Sequence, residues 1–327
     1  MTPLPTPTPL STRTSTSPIV TLTLNPALDV STTTERVEPE HKLRCTAGRT
    51  DAGGGGVNVS RVIQRLGGDS LAIYAVGGVT GEAYRRLLEA EGLMGLAMPI
   101  EGSTRQDVTI DESSTGRQFR FVLPGPTVAE AEWRRCVDAV VSVLVPGGYL
   151  VASGSLSPGI PDDVYARLAR AARERGAHCV VDASGPALQA ALAEGVWLVK
   201  PSGRELGELV GRTLPDRDAK VDAARELVAR GAAEVVALTL GGDGAVLVTA
   251  EGVVHQEVPR VEVRSTVGAG DSFLAAMVLR LAQGRTMLEA FRAGVAAGSA
   301  TTMSVGTQLC GRADVERLEA QLAAVAR

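Results

Sequence analysis

Residues 266–282 read TVGAGDSFLAAMVLRLA, and this stretch carries the most informative pattern of the chain. Leu274, Val278 and Leu281 recur at helical spacing, which predicts a helix with Asp271 in its first turn. The glycines before Asp271 leave backbone N–H groups open at the positive end of the helix dipole and so favour an anion site. A carboxylate beside an anion site can accept a proton from a hydroxyl while a phosphoryl group moves onto that hydroxyl. The alternative interpretation is a tight turn in which Asp271 only caps the helix.

Short β-rich runs alternate with amphipathic helical patterns over most of the remaining chain. This alternation predicts an α/β fold with a mostly parallel sheet flanked by helices. The predicted strands are Ile19–Thr23, Leu71–Val76, Tyr149–Ser153, Cys179–Asp182, Trp197–Lys200 and Val235–Leu240. The predicted helices are Glu82–Glu91, Asp162–Arg175, Ala219–Arg230, Ser272–Ala282, Met287–Met303 and Ala313–Val325. In such a sheet, ligands bind beyond the carboxyl ends of the strands.

Two helix-poor segments, at about residues 31–50 and 104–123, interrupt this alternation. In the second segment, apolar residues alternate on both sides of an ESSTG turn, which predicts a β-hairpin. Together the two segments predict a small β-sheet that projects from the main domain as a lid. Its apolar face would be covered by a ligand cleft or by a second copy of the chain. The alternative is a hairpin that packs only on its own domain.

The composition excludes several classes of function. Lys and Arg number 33 and Asp and Glu 37, which gives a net charge of −4. Because basic runs are absent and aromatic residues are few, we expect no nucleic-acid partner. Four dispersed cysteines without a CxxC pair indicate reduced thiols in a cytoplasmic protein, and the three histidines lack metal-ligand spacing. No stretch reaches the roughly 18 continuous apolar residues of a membrane span, so we expect no membrane partner. Residues 1–18, rich in Pro, Thr and Ser, are predicted to form a disordered tail before a domain at 19–327.

Two further glycine-rich stretches are candidates for ligand binding. Residues Asp51–Leu66 read DAGGGGVNVSRVIQRL, in which four glycines precede a helical pattern and Asn58 lies in its first turn. Backbone without Cβ atoms permits close approach of a ligand, although a flexible loop is the alternative. The spacing is not GxGxxG, which disfavours a dinucleotide-dependent oxidoreductase. Residues Thr239–Ala245, TLGGDGA, end a strand where a nucleotide could bind, although a hairpin turn is the commoner explanation of this string.

Considered together, these motifs resemble the ribokinase-like (pfkB) sugar kinases. GGGGVNVSRVIQRLGG, SGSLSPG at 153–159, LVKP at 198–201 and TVGAGDSF follow the family's order from Ile19 to the last helix. HKLRCTA at 41–47, the all-glycine run and FRFVLPG at 119–125 are most similar to its type 2 6-phosphofructokinase subgroup. The resemblance implies ATP- and Mg²⁺-dependent phosphorylation of fructose 6-phosphate at the 1-hydroxyl, giving fructose 1,6-bisphosphate. The alternatives are 1-phosphofructokinase and tagatose-6-phosphate kinase, which usually carry a lysine in the glycine run.

The resemblance also implies a role for each matching residue. Asp271 is expected to be the general base, with the N–H groups of Gly268, Ala269 and Gly270 as the anion hole. The expected sugar site consists of Asp29, Gly54, Gly55, Asn58 and Ser155, with Lys42, Arg44 and Arg105 approaching its phosphate and the lid. The expected ATP site consists of Lys200, Ser202, Thr239, Gly241 and Gly244, with Glu205 holding Mg²⁺ through water. A homodimer joined through the lids is also expected.

Two positions depart from the family pattern. Ser202 stands where the family usually has the asparagine of an N-x-x-E motif, so metal or phosphate placement is altered. Because of Ser202, a non-catalytic protein that senses sugar or nucleotide is a remote alternative function. Gln308 stands where the subgroup tends to have arginine, near a loop linked to monovalent-cation activation. Potassium is therefore a candidate cofactor whose effect the sequence leaves open.

Overall fold

The structure is a computed structural model that describes residues 16–325 of the chain. Within these residues the chain forms thirteen strands: β1 (Ile19–Thr23), β2 (Ala27–Thr34), β3 (Arg49–Gly53), β4 (Leu71–Val76), β5 (Gly95–Pro99), β6 (Arg105–Glu112), β7 (Gln118–Phe121), β8 (Tyr149–Ser153), β9 (His178–Asp182), β10 (Val196–Val199), β11 (Ala233–Thr239), β12 (Ala245–Thr249) and β13 (Gly252–Gln256). The same residues form ten α-helices: α1 (Gly55–Arg65), α2 (Gly78–Ala90), α3 (Glu130–Val143), α4 (Val164–Glu174), α5 (Gly185–Glu194), α6 (Gly203–Val210), α7 (Arg217–Ala229), α8 (Ala269–Ala282), α9 (Met287–Thr302) and α10 (Arg312–Val325). A 3₁₀ turn covers Gly241–Asp243.

A nine-stranded sheet forms the centre of the described part of the molecule, in the order β13-β12-β11-β10-β9-β8-β1-β4-β5. Its pairs are parallel from β5 to β11, and β12 and β13 add an antiparallel edge. One apolar cluster packs α3 to α7 on one face, and a second packs α1 and α8 to α10 on the other. Strands such as β8 are fully buried because helices cover both faces. The predicted mostly parallel α/β fold is therefore confirmed.

A separate four-stranded sheet, which we call the lid, has the order β3-β2-β6-β7. Strands β2 and β6 pair in parallel, while β3 and β7 add antiparallel edges. The predicted hairpin is present, because Val108 lies opposite Phe121 and Ile110 opposite Phe119. The predicted small projecting sheet is thus confirmed as a mixed sheet.

The apolar runs located the main elements but not all their ends. The six predicted strands are all present, with ends that differ by at most two residues. The predicted helices are also present, and α8 begins at Ala269 rather than at Ser272. The short strands β5, β12 and β13 and the helices α3, α5 and α6 were not among the predicted elements. Strands β5 and β13 form the two edges of the large sheet, and none of their residues is buried, so their apolar pattern is weak.

The lid begins earlier than the predicted segment at about 31–50. Strand β1 ends at Thr23, and Asp29 already lies inside β2. Pro26 lacks the N–H that a continuing strand would donate, so the chain leaves the large sheet there and enters the lid. The lid therefore begins at Ala27, while the segment 35–48 between β2 and β3 forms no strand. The glycine run also differs, because β3 ends at Gly53 and α1 begins within the run.

The predicted tail, residues 1–18, extends into residues that contact the domain. Residues 1–15 of that tail lie outside the described residues. Ser17 donates its N–H to the Ala282 carbonyl at 2.9 Å, and the Pro18 carbonyl accepts from Tyr149 at 2.8 Å. The chain is thus joined to the domain before Ile19. Among the described residues, no helix is long and apolar enough to cross a membrane.

Candidate active site

A cavity of about 360 Å³ lies between the lid and the carboxyl ends of strands in the large sheet. This is the place where open α/β sheets bind ligands. Its lining brings together nine of the residues predicted from the sequence: Asp29, Gly54, Gly55, Asn58, Arg105, Ser155, Glu205, Gly268 and Asp271. These residues come from the lid, from α1, α6 and α8, and from the loop after β8.

The glycine run lets helix α1 begin directly against the end of β8. Gly54 has φ +124°, a conformation that side chains other than glycine rarely adopt. A Cβ atom on Gly55 would lie 2.2 Å from the Ser153 Oγ, so no side chain fits there. The run is therefore a fixed close contact rather than a flexible loop, and it directs Asn58 of α1 toward α8.

Asp271 lies in the first turn of α8, as the sequence predicts. Its Oδ2 accepts a hydrogen bond from the Asn58 Nδ2 at 2.9 Å. Burial raises the pKa of Asp271 to about 6, and the nearby charge of Asp182 acts in the same direction. The Asn58 hydrogen bond and the Lys200 charge lower this pKa. The result is a carboxylate that is ionised at neutral pH but more basic than an ordinary aspartate, as a general base should be.

Lys200 supplies a positive charge beside the N-terminus of α8. It is 5% exposed, and its Nζ lies 3.2 Å from the Asp182 Oδ1. A Cβ atom on Gly270 would lie 3.1 Å from this Nζ, which shows how closely the ammonium approaches the helix. Burial lowers the pKa of Lys200, but Asp182, Asp271 and Glu205 together raise it above its ordinary value. The lysine therefore stays charged next to the predicted anion hole.

The backbone before Asp271 has the geometry of a helix start. Gly268 is the N-cap and has φ +75°, where a Cβ atom would lie 2.6 Å from the Leu309 Cδ2. The N–H of Ala269 donates to the Thr266 carbonyl at 3.3 Å, which is long for such a bond. Gly268 lines the same cavity as Asp271.

The lid side of the cavity carries a cluster of opposite charges. Burial raises the pKa of Asp29 to about 7, and Asp107 acts in the same direction. Arg105 and Arg120 lower this pKa, and both line the cavity. Two guanidinium groups thus line the same cavity as Asp29, and paired guanidinium donors of this kind can bind a phosphate.

Lys42 and Arg44 do not reach this cavity in their own chain. Both lie in segment 35–48 between β2 and β3, and both are exposed. This segment forms no strand, so the lid does not hold these side chains over the cavity of the same chain.

A second groove, of about 790 Å³, contains three of the residues predicted for ATP: Ser202, Thr239 and Gly241. Lys220 lines it as well. The string TLGGDGA forms the β11–β12 hairpin, as the commoner explanation predicts, and it also borders this groove. Gly244 does not line the groove. It has φ +96°, and a Cβ atom there would lie 2.2 Å from the Gln256 carbonyl oxygen, so it supports the turn instead.

Ser202 and Glu205 form the start of helix α6. The Ser202 Oγ accepts from the Glu205 N–H at 3.2 Å, and the Glu205 Oε2 accepts from the Ser202 N–H at 2.8 Å. This capping box occupies the serine hydroxyl that replaces the usual asparagine amide. Glu205 nevertheless lines the cavity together with Asp182.

The carboxylates of Asp182 and Glu205 suit Mg²⁺ bound through water. Mg²⁺ keeps several waters and is usually held by one or two carboxylates and by substrate phosphates. No group of three or more His, Cys, Asp or Glu residues is arranged to hold a metal ion within residues 16–325. The donor set therefore fits a metal that arrives with the nucleotide rather than one held by the protein alone.

Comparison with known proteins identifies the family. Residues 21–314 match the pfkB family of carbohydrate kinases. The chain belongs to this family. It is 44% identical over 305 residues to ATP-dependent 6-phosphofructokinase isozyme 2 of Escherichia coli K12, covering 93% of this chain and 98% of the relative. Identity to the 1-phosphofructokinase of Bacillus subtilis is lower, at 34% over 292 residues, covering 89% and 95%.

Solved structures of pfkB kinases agree with this assignment. The crystal structure of phosphofructokinase-2 from E. coli in complex with fructose-6-phosphate matches with a TM-score of 0.89 and 42% identity, covering 94% of this chain and 99% of that one. The same E. coli enzyme has been solved with potassium and in a tetrameric inhibited form. The ribokinase-like fold predicted from the motifs is therefore confirmed.

Several lining residues of this pfkB site were missed in the sequence. Asp182 ends a predicted strand, and its position at a carboxyl end was the available signal. Arg120 lies between Phe119 and Phe121, so the alternation of a strand places it on the opposite face. Asp107 and Lys220 gave no signal of this kind, because only the folded chain brings them to the cavity and the groove.

Proposed function

We propose that this pfkB kinase is an ATP-dependent 6-phosphofructokinase, which converts fructose 6-phosphate and ATP to fructose 1,6-bisphosphate and ADP. The observation that supports the proposal best is Asp271, held by Asn58 beside Lys200 in a cavity whose lid side carries Arg105 and Arg120. A base, an anion site and a phosphate site in one cavity are what the transfer to a sugar phosphate requires.

The proposed reaction uses the residues of the cavity in a defined order. Arg105 and Arg120 bind the 6-phosphate and so place the 1-hydroxyl near Asp271. Asp271 accepts the hydroxyl proton while the oxygen bonds to the γ-phosphorus, and the bond to the β,γ-bridging oxygen breaks to release ADP. Lys200 and the N-terminus of α8 stabilise the charge of the moving phosphoryl group. Losing one such donor costs ~3–4 kcal/mol in comparable sites.

ATP, Mg²⁺ and potassium complete the proposed set of ligands. The groove lined by Ser202, Thr239 and Gly241 takes the nucleotide, and Glu205 and Asp182 hold the metal through water. Mg²⁺ neutralises the phosphate charges when it is bound. The potassium complex of the E. coli relative supports potassium as a further cofactor. The role of potassium is tested by comparing the rate of ADP release in potassium and in sodium salts. Equal rates in the two salts would contradict a role for potassium.

We also propose a homodimer joined through the lids, in the cytoplasm where ATP is available. Phe121 at the end of β7 and the two residues that follow it, Val122 and Leu123, are exposed at 52%, 60% and 51%. Exposed apolar side chains at the edge of a sheet favour burial against a partner. In such a dimer, Lys42 and Arg44 are free to approach the sugar phosphate of the partner subunit.

A panel of sugar phosphates tests the substrate directly. We expect the highest kcat/KM with fructose 6-phosphate, measured by coupled ADP release beside fructose 1-phosphate and tagatose 6-phosphate. A higher value with fructose 1-phosphate would favour 1-phosphofructokinase, for which the B. subtilis relative is the supporting observation. Binding of ATP and sugar phosphates without ADP release would instead support the sensor suggested by Ser202.

A further inference from the structure

Both polar backbone groups of Leu123 are held by side chains of strand β6. The Arg105 Nη1 donates to the Leu123 carbonyl at 3.0 Å, and the Leu123 N–H donates to the Asp107 Oδ1 at 3.0 Å. Leu123 follows strand β7, at the point where the chain leaves the lid. Arg105 and Asp107, which carry opposite charges, thus hold the carbonyl and the N–H of Leu123 at the point where the chain leaves the lid.

The guanidinium of Arg105 is oriented by several acceptors. Its Nη2 donates to the Asn25 carbonyl at 3.2 Å, in the connection between β1 and β2. Its Nη1 lies 3.1 Å from the Asp107 Oδ2, and only 12% of the arginine side chain is exposed. Asp107 is the charged partner among these acceptors, and charge-assisted bonds are the stronger ones. The direction in which Arg105 faces the cavity therefore depends on Asp107.

Asp107 also lies directly beside the sugar site. It is opposite Asp29 on the neighbouring parallel strand, and both residues line the cavity. The charged groups that face Asp29 are Asp51 from β3, Arg105 and Asp107 from β6, and Arg120 from β7. The buried Tyr84 of α2 is also within electrostatic range of Asp29. Removing the charge of Asp107 should therefore lower the pKa of Asp29.

We propose that Asp107 is a positioning residue for sugar-phosphate binding, which orients Arg105 and fixes the lid exit at Leu123. The inference rests on the proposed function, since it takes the anion bound by Arg105 to be the phosphate of the sugar. It predicts that Asp107 acts on the sugar substrate and leaves the nucleotide unaffected, because the nucleotide groove shares no lining residue with the lid.

Three variants test this proposal. Asp107→Ala removes both contacts, Asp107→Asn keeps an acceptor oxygen for Leu123 without the charge, and Asp111→Asn is the matched control. Asp111 lies four residues further along the same strand and accepts from the exposed Gln118 side chain. We expect Asp107→Ala to raise the KM for the sugar phosphate at least ~10-fold, with the KM for ATP unchanged, because misplaced binding groups are costly.

The two remaining variants distinguish a role of Asp107 in positioning Arg105 from a role in the stability of the fold alone. Asp107→Asn should recover only part of the sugar affinity, because Leu123 keeps its acceptor while Arg105 loses its charged partner, and any step in its pH profile due to Asp29 should move to lower pH. Asp111→Asn should match the unchanged protein. The substrate is whichever sugar phosphate has the highest kcat/KM in the panel, so a wrong substrate assignment leaves this comparison intact. If no sugar phosphate is turned over, calorimetric binding of fructose 6-phosphate replaces the KM.

Several results would overturn the proposal. The first is an unchanged sugar KM in Asp107→Ala, and the second is a parallel rise in the KM for ATP. If Asp107→Ala does not fold, the pH profile of the activity of Asp107→Asn is the deciding measurement. A profile identical to that of Asp111→Asn would overturn the proposal.

Discussion

At the scale of single residues, the chemistry depends on how the neighbours of Asp271 set its pKa. Burial raises this pKa to about 6, while the Asn58 hydrogen bond lowers it. Above this pH the carboxylate is ionised and can accept the proton of the sugar hydroxyl, and below it the base is protonated. We therefore expect kcat/KM for the sugar phosphate, which reports the free enzyme, to fall on the acid side with a midpoint near pH 6.

The variant Asn58→Leu tests the cause of this midpoint. Removing a hydrogen bond that favours the charged form should move the acid limb of kcat/KM to higher pH, in addition to lowering kcat/KM. Initial rates between about pH 5 and pH 9, with the sugar phosphate well below its KM, measure the limb. A limb near the ordinary pKa of aspartate, or one that Asn58→Leu moves to lower pH, would contradict this account.

At the scale of structural elements, close backbone contacts position the start of α1. In Gly55→Ala the new methyl group would lie 2.2 Å from the Ser153 Oγ, so either the helix or β8 must shift. Overpacking of this kind costs about 1–3 kcal/mol. We expect a lower Tm and a weaker sugar affinity, because Asn58 moves with the helix. In the control Gly48→Ala, the added atom meets only ordinary contacts of 3.6 Å or more, and similar losses in both variants would count against this explanation.

A second contact between elements joins the lid to the loop that precedes α10. The Thr307 hydroxyl donates to the Asp51 Oδ2 at 2.7 Å, and both residues are buried. The neighbouring Gly306 carbonyl accepts from the Ser265 Oγ at 2.7 Å, which connects this loop to the chain before α8.

Thr307→Val measures the strength of this connection. It should reduce the free energy of unfolding by about 1–3 kcal/mol, because a buried carboxylate oxygen loses its donor. The half-buried Thr32 hydroxyl donates to the carbonyl of the exposed Thr46, so Thr32→Val should change stability by less than about 0.5 kcal/mol. Urea denaturation measures the free energy of unfolding of the two variants. Equal decreases would show that the Thr307–Asp51 hydrogen bond contributes no more to stability than the hydrogen bond of Thr32.

At the scale of the whole molecule, the proposed dimer depends on the exposed apolar side chains Phe121, Val122 and Leu123 at the end of the lid. Phe121→Asp places a charge in the proposed interface, so we expect it to convert the dimer into monomers, as measured by light scattering after gel filtration. Val145→Asp is the control, since Val145 is 40% exposed in the connection before the amino end of β8, at the opposite edge of the large sheet from the cavity and the lid. Dissociation in both variants, or in neither, would exclude the lid as the interface.

The sequence predicted the centre of the large sheet well because parallel strands covered on both faces read as continuous apolar runs, as in β1 and β8. It missed β13 at the edge of the sheet, where no residue is buried, and the neighbouring β12, a five-residue strand between two turns. It located Asp271 and Asn58 because glycine-rich turns mark where backbone must approach a ligand. It missed Asp107 and Asp182, since an acidic residue in a strand gains a role only from the neighbours that folding brings to it.

The central claim of this account is that Asp271 accepts the proton of the sugar hydroxyl. The most direct measurement is kcat for Asp271→Asn beside Asp218→Asn, which changes an exposed aspartate in the first turn of α7. We predict that Asp271→Asn lowers kcat at least ~10²-fold while the KM for ATP and the Tm stay the same, and that the control is fully active. A kcat for Asp271→Asn equal to that of the control would contradict the account.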